Sequence, residues 1–383
     1  MDEKTDNPRA EIDAIDDELL RLLNRRAAIA LRVGAVKRRS DTSLCDPQRE
    51  REVLARLSGQ NSGPLDEQNI VNIFQRIIDE SLQIQLQTYQ ISAATNDAPK
   101  EENFDVNGRV AFLGERGTFS EEAVIELFGE NNESVSRPTF ETLFAAIDEG
   151  RADYILAPLE NTLVGAVHRS QDLLLKSSLG IVAEIILPIA HFLIAGKDAT
   201  LESIESVESH PVALAQCERF FAAHPNIRRA AADDTASSVR RAIESGDAKR
   251  AAIGAKRAAE IYGGVVLQEH LEDGRENFTR FVLLAARANE SSKGEKISLI
   301  FKLPHRPGAL HDALRPFVRR GIDLLKIESR PIQGRPWQYN FYVDLQAPPS
   351  ESELRGALDE IKEQAEEFRF LGRYSVVKIE GDK

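Results

Sequence analysis

Three hydrophobic rhythms follow one another along the 383 residues of the chain. In the first, Ile12, Ile15, Leu19, Leu22, Ala30 and Val33 recur at steps of three and four, and an advance of roughly 100° per residue puts them on one stripe. Glycine and proline are sparse here, so the spacing predicts helices. Pro8 opens the first, Asp46-Pro47 supplies an N-cap and first helical residue for the second, and the third runs from after Pro64 to about Tyr89. In the second rhythm short apolar runs at 109–113, 154–158, 181–187, 251–253 and 278–284 read as strands alternating with helical patterns, which is an α/β signature. The third is compact: strand 297–303, helix 308–320, strands 323–330 and 337–345, helix 351–367 and strand 369–379. That order, βαββαβ, is ferredoxin-like.

Two polar, patternless stretches separate these segments. The expected organisation is a helical domain at 1–93, a linker at 94–107, an α/β domain at 108–286, a linker at 287–296 and an α+β domain at 297–383. Hydrophobic residues at 42% and charged residues at 29% supply enough apolar material for several cores and exclude disorder throughout. A net charge of -13 has the wrong sign for a nucleic-acid binder, so any anion site must concentrate positive charge locally. Cys45 and Cys217 stand far apart with no companion at zinc-ligand spacing, so neither a disulfide framework nor a cysteine metal site is expected. The N-terminus is rich in Asp, Glu and Lys where a signal peptide needs an apolar core. The best apolar stretch, residues 180–196, is broken by Glu184, Pro188 and His191. These features point to a cytoplasmic protein with no membrane span.

Candidate chemistry in the helical domain lies in what interrupts the stripe. Arg26 and Lys37 fall in its middle, and Arg9 lies at its edge one turn before Ile12. In the third helix Ser81 and Gln85 share a stripe with Ile70, Ile73, Phe74, Ile77 and Ile84. A cation directed into an apolar interior costs several kcal/mol unless an anion meets it. Either internal acids (Asp46, Glu50 or Glu80) neutralise Arg26 and Lys37, or a bound dicarboxylate does. The first helix, roughly 45 Å long, has more apolar face than a small domain can cover, so a second copy is expected to cover the rest.

These residues resemble the all-helical, intertwined-dimer chorismate mutases over 8–90. The resemblance implies that Arg26, Arg49, Ser81 and the partner chain's copy of Arg9 hold the carboxylates of chorismate. It further implies that Lys37 and Gln85 donate to the ether oxygen, and that Glu50 with the Asp46 region orients the ring hydroxyl. A unimolecular rearrangement needs a held conformer and stabilised charge, which permanent cations and amide donors supply without a titrating base.

In the α/β domain, Gly114 to Ser120 follows a strand and opens a helix, with Ser120 as the expected N-cap. Similar starts recur at 208–211 and 234–237, so three hydroxyl-bearing helix N-termini are expected around a carboxylate-binding cleft. Pro158 to Thr162 ends a strand and Asn277 to Phe281 enters one. No GxGxxG, P-loop, HExxH or GxSxG motif occurs, and the histidines lack metal-ligand spacing, which disfavours nucleotide cofactors, zinc hydrolysis and a serine nucleophile. With 208–217, these segments look like the motifs of prephenate dehydratases. That resemblance implies two α/β lobes like a periplasmic binding protein, a central role for Thr279, and binding or orienting roles for Thr118, Ser120, Asn161, Ser209, Gln216, Thr235, Arg280 and Phe281.

The last domain resembles the ACT module of amino-acid biosynthetic enzymes. Arg306-Pro307-Gly308-Ala309-Leu310 sits at a strand-to-helix turn and Glu328-Ser329-Arg330 ends the next strand. The resemblance implies that Gly308, Ala309, Leu310, Glu328, Ser329 and Arg330 bind phenylalanine at a dimer interface. Together the three resemblances imply a bifunctional mutase and dehydratase in a homodimer or higher oligomer, feedback inhibited by phenylalanine, with no metal or organic cofactor. Two alternatives remain: a dehydratase preferring arogenate, or a non-catalytic amino-acid sensor whose helices serve only dimerisation.

Overall fold

A computed structural model describes residues 7–39, 44–93, 108–274, 276–287, 294–332, 334–348 and 350–379. The expected linker 94–107 lies outside the described residues, as do 288–293 of the second. The chain divides into two compact units, Met1–Glu101 with Phe301–Phe368, and Glu102–Ile300 with Arg369–Lys383.

In the first unit α1 (Pro8–Arg39), α2 (Pro47–Gly59) and α3 (Glu67–Ala93) are the three expected helices. Proline stands at the first position of α1 and of α2, and Asp46 caps α2 by accepting the amide of Arg49 at 3.0 Å. The apolar stripe of α1 is uncovered: Ile12, Ile15, Leu19 and Leu22 are 45–59% exposed.

The α/β segment runs β1 (Val110–Leu113), α4 (Phe119–Phe128), β2 (Ser134–Arg137), α5 (Phe140–Ala145), β3 (Tyr154–Asn161), β4 (Gly165–Ala166), α6 (His168–Lys176) and β5 (Gly180–Pro188). It continues through β6 (Phe192–Ala195), β7 (Ser206–Ser209), α7 (Pro211–Ala215), α8 (Glu218–Ala223), β8 (Arg228–Ala231), α9 (Thr235–Glu244), β9 (Arg250–Gly254), α10 (Lys256–Tyr262), β10 (Val265–Gln268) and β11 (Phe278–Ala285). The C-terminal segment adds β12 (Lys296–Lys302), α11 (Ala309–Arg319), β13 (Leu324–Pro331), β14 (Tyr339–Gln346), α12 (Glu351–Gln364) and β15 (Glu367–Lys378), the expected βαββαβ order. Trp337 lies outside β14, in a left-handed turn at φ 65°, and is 74% exposed.

Two sheets make the two lobes of the second unit. One carries the order β15-β5-β11-β3-β1-β2 with β4 on β3, the other β10-β6-β9-β7-β8. The chain crosses between them at Pro188–Phe192 and again before β11, and a cavity of about 1000 Å³ at these crossings is lined by Leu187, Ile189, Phe192, His270 and Asn277. Thr279 pairs in register with Asn161 on one side and Leu187 on the other. The C-terminal strand belongs to this lobe: Ser375–Lys378 run parallel to residues 183–186 of β5. Gly372 permits the approach, because a Cβ there would collide with the carbonyl oxygen of Ile181.

Glu184, at the middle of β5, has no exposed surface. Its carboxylate accepts from Arg280 Nε at 2.6 Å and from Lys296 Nζ at 2.9 Å, while Arg280 Nη2 also donates to the hydroxyl of Tyr374 at 3.0 Å. An ion removed from water survives only with such partners. Glu184→Gln leaves two cations under-compensated and should lower stability by roughly 3–5 kcal/mol, read from the urea midpoint of the α/β transition.

Glu122, in the first turn of α4, is pushed up to about 7 by burial first and then by the neighbouring carboxylate of Glu126. A carboxyl whose folded pKa is raised contributes most stability below its unfolded value of 4.5, and that contribution is lost as pH rises through about 7. Glu122→Gln should therefore be nearly neutral at about pH 4.5 and stabilising by about 2 kcal/mol at about pH 8. Thermal melts at the two pH values check this.

Candidate functional site

Helices α1 and α3 bring the expected mutase residues together. Arg26 Nη1 donates to Ser81 Oγ at 2.5 Å and to the carbonyl of Ile77 at 3.3 Å. Among the described residues no carboxylate pairs with Arg26, and burial alone pushes its pKa down. Gln85, 7% exposed, donates through Nε2 to the carbonyl of Ala30 at 2.5 Å. Gly34 makes room for it: a Cβ would stand 3.0 Å from Gln85 Cδ. Lys37 Nζ donates to the carbonyl of Leu44 at 3.2 Å and lies 3.8 Å from Asp46 Oδ2. Arg9 is exposed on the first turn of α1, and Arg49 is exposed and paired with Glu52 at 3.1 Å.

Of the internal acids expected as partners, Asp46 meets Lys37, whereas Glu50 turns to neither Arg26 nor Lys37. It pairs with Arg319 of α11, which also lies 3.1 Å from Asp79, itself held by Arg315 at 2.8 Å. With Gln83 donating to the carbonyl of Val318 at 2.7 Å, these contacts fasten α2 and α3 to α11. They hold the helical segment and residues 301–368 in one compact unit.

The cleft residues of the second unit form one amide network. Asn161 Nδ2, at the end of β3, shares its two hydrogens among three acceptors: Thr279 Oγ1 at 3.0 Å, Asn277 Oδ1 at 2.8 Å and the carbonyl of Phe278 at 3.1 Å. Gln216 Nε2 approaches Asn161 Oδ1 at 3.4 Å, and Gln216 Oε1 accepts from Asn277 Nδ2 at 3.2 Å and contacts His191 Nε2 at 2.7 Å. Thr162 Oγ1 donates to the carbonyl of Glu276 at 2.6 Å and accepts from the amide of Phe278 at 2.9 Å, locking the start of β11 to the end of β3. Among the described residues no acceptor takes the Thr279 hydrogen. Reading the sequence missed His191, which appears there only as a break in an apolar run, and gave Asn277 no role.

Several expectations need correction. Thr118, not Ser120, caps α4, with Ser120 in the first turn; Gly117 at φ +85° ends the turn one step earlier. The other two helix starts are capped without hydroxyls. Asp234 Oδ1 accepts from the amides of Ala236 at 2.6 Å and Ser237 at 3.0 Å, so Thr235 is the first helical residue. His210 Nδ1 accepts from Val212 at 3.2 Å, while Ser209, fully buried, donates to the carbonyl of Ile253 at 2.7 Å. Strand alternation turns Arg280 to the opposite face from Thr279, onto Glu184, and Phe281 is packed in the core with Phe112, Leu156 and Ile185. The loop after β1 is fixed by lobe-to-lobe contacts: Glu115 takes two bonds from Arg240 at 3.0 and 3.1 Å, and its amide meets Asp234 Oδ2 at 3.3 Å.

In the C-terminal module Gly308 takes the left-handed conformation at φ +79° before α11, with Ala309 and Leu310 opening the helix. Glu328, Ser329 and Arg330 lie on β13, where Glu328 accepts from Lys326 at 3.1 Å and the strand alternates partly buried and exposed residues.

Three families match three segments: chorismate mutase type II over residues 8–86, prephenate dehydratase over 110–289 and the ACT domain over 297–363. The bifunctional chorismate mutase/prephenate dehydratase of Aquifex aeolicus is 34% identical over 371 residues, covering 96% of each chain. A prephenate dehydratase from Arthrobacter aurescens, solved in complex with L-Phe, is 30% identical with a TM-score of 0.64, covering 70% of this chain and 90% of that one. GqqA, described as a quorum quenching acylase, is 28% identical with a TM-score of 0.63, covering 70% of this chain and 97% of that one. The shared architecture thus hosts more than one activity, and similarity along nearly the whole length discriminates where the fold does not. On that full-length similarity, the chain belongs to the bifunctional chorismate mutase/prephenate dehydratase family.

Proposed function

We propose that this chain rearranges chorismate to prephenate in its helical segment and converts prephenate to phenylpyruvate in its α/β cleft, with phenylalanine acting as inhibitor through the C-terminal module. The observation that carries the first activity is Arg26: a half-buried guanidinium bonded, among the described residues, only to a hydroxyl and a carbonyl keeps its charge for a ligand carboxylate. Lys37 and Gln85 are the donors for the ether oxygen that gains negative charge as its bond to carbon breaks. The site is completed by a second copy, which covers the exposed stripe of α1 and contributes its Arg9. The assembly is therefore a homodimer or a higher oligomer, working in the cytoplasm without metal or organic cofactor.

In the cleft the electron pair of the ring carbon–carboxylate bond becomes part of the new aromatic system, CO2 departs, and the ring hydroxyl leaves with its C–O electrons, taking up one proton from solvent to become water. Thr279, which accepts from Asn161, has its hydrogen available to donate to that departing oxygen. A positioned donor suffices because aromatisation drives the step. Thr118, Ser120, Ser209, Gln216, Thr235 and Arg280 support the cleft, most of them through the loop and strand contacts described above, and Gly308 with Glu328 and Ser329 mark the phenylalanine site.

Supplying chorismate, then prephenate, then arogenate, and following phenylpyruvate or phenylalanine with and without added phenylalanine, tests the assignment. Lys37→Ala should lower mutase turnover by about a hundredfold or more while dehydratase turnover stays within about twofold, and Thr279→Ala should do the reverse. Parallel loss of both activities in either variant contradicts separate sites. Leu19→Asp on the uncovered stripe should shift the protein to a smaller species by light scattering and abolish mutase turnover; an unchanged mass contradicts the second copy.

A further inference from the structure

The orientation of the Asn161 carboxamide is set by the main chain. Its Oδ1 accepts the backbone amides of Leu163 at 3.0 Å and Val164 at 3.1 Å, and its Nδ2 donates to the carbonyl of Phe278 at 3.1 Å. A flipped amide would set its nitrogen against two N–H groups and its oxygen against a carbonyl. The nitrogen therefore faces Thr279 Oγ1 and Asn277 Oδ1. This sense propagates. Because Asn277 Oδ1 accepts, its Nδ2 is the atom that donates to Gln216 Oε1 at 3.2 Å. Because Gln216 Oε1 accepts, the His191 nitrogen 2.7 Å away must donate, so the ring carries its proton on Nε2.

The surroundings of His191 agree. It is 2% exposed, and Nδ1 is buried with no hydrogen-bond partner among the described residues, as suits the bare nitrogen of a neutral ring. Phe119 packs edge-on against the ring at 5.7 Å between centroids. Burial holds the imidazole pKa below its ordinary value, against the opposing influence of Gln216 and of Glu272, whose carboxylate accepts the His191 amide at 2.7 Å.

We infer that His191 is a positioning residue of the dehydratase cleft: its Nε2–H pins Gln216, and Gln216 with Asn277 holds Asn161 in the sense that makes Thr279 an acceptor inward and a donor outward. This rests on the proposed role of Thr279 in the elimination. Without the imidazole donor the Gln216 amide can rotate and turn its oxygen toward Asn161 Oδ1, setting two lone pairs against each other and loosening Asn161 from Thr279. The effect belongs to the chemical step, since His191 acts through Gln216 and not on bound substrate.

Two substitutions and one spectrum test it. His191→Phe keeps a flat ring and removes the donor; kcat on prephenate should fall about tenfold or more with KM within about twofold. His191→Gln places an amide donor near the position of Nε2 and should keep kcat within about threefold of wild type. Mutase turnover by the same chains reports on folding. Equal losses in the two variants, an unaffected His191→Phe, or a change confined to KM overturns the inference. Nitrogen-15 NMR of histidine-labelled protein should show His191 neutral and protonated on Nε2 between about pH 6 and 8. An Nδ1–H tautomer or an imidazolium refutes the relay whether or not prephenate is turned over, so failure of the substrate assignment and failure of the relay give different results.

Discussion

Charge removed from water must find a partner, and this chain meets that constraint in two opposite ways. Glu184, without exposed surface, is matched inside the protein by Arg280 and Lys296, with Tyr374 completing the arginine's bonds. Everything in that cluster is answered, so it fastens strands together. Arg26 is partly buried yet, among the described residues, meets only Ser81 and a main-chain carbonyl, neutral acceptors that orient a guanidinium without discharging it. The first arrangement is architecture, and the second is the one proposed above to receive a ligand. The distinction rests on the count of opposite charges within reach, not on burial alone.

The dehydratase cleft obeys the same logic with dipoles. An amide can be turned either way in the absence of an anchor, but Asn161 is held by two main-chain donors and one main-chain acceptor. Its side chain therefore transmits a fixed polarity to Thr279. Residues with no titratable proton near neutrality can then direct a hydroxyl as firmly as a charged base would, which fits a reaction driven by formation of an aromatic ring.

Local periodicity made most of the secondary structure legible. The stripe on α1, the Asp46-Pro47 start of α2 and the βαββαβ order of the C-terminal module all follow from spacing and turn chemistry within a dozen residues. What stayed hidden depends on residues far apart in sequence. Glu50 meets Arg319, 269 positions away, and no local pattern announces that pairing. Glu184 and His191 read as mere breaks in an apolar run because their partners, Arg280 and Lys296 for the one and Gln216 for the other, are distant in sequence. Arg280 and Phe281 are neighbours in a motif, yet strand alternation and core packing send them away from the hydroxyl beside them. The cap of α4 was misplaced by two residues because the left-handed turn at Gly117, and not the choice among hydroxyls, decides where a helix starts.

The parallel pairing of Ser375–Lys378 with β5 has a consequence for how the lobe closes. The strand that completes the sheet of Val110 and Thr279 is separated from β5 by the rest of the α/β segment and by most of the C-terminal module, so this pairing carries a large loop-closure cost and low local bias. A chain cut between the α/β segment and the C-terminal module would lack the strand and leave β5 as a bare, apolar edge open to pairing with another chain.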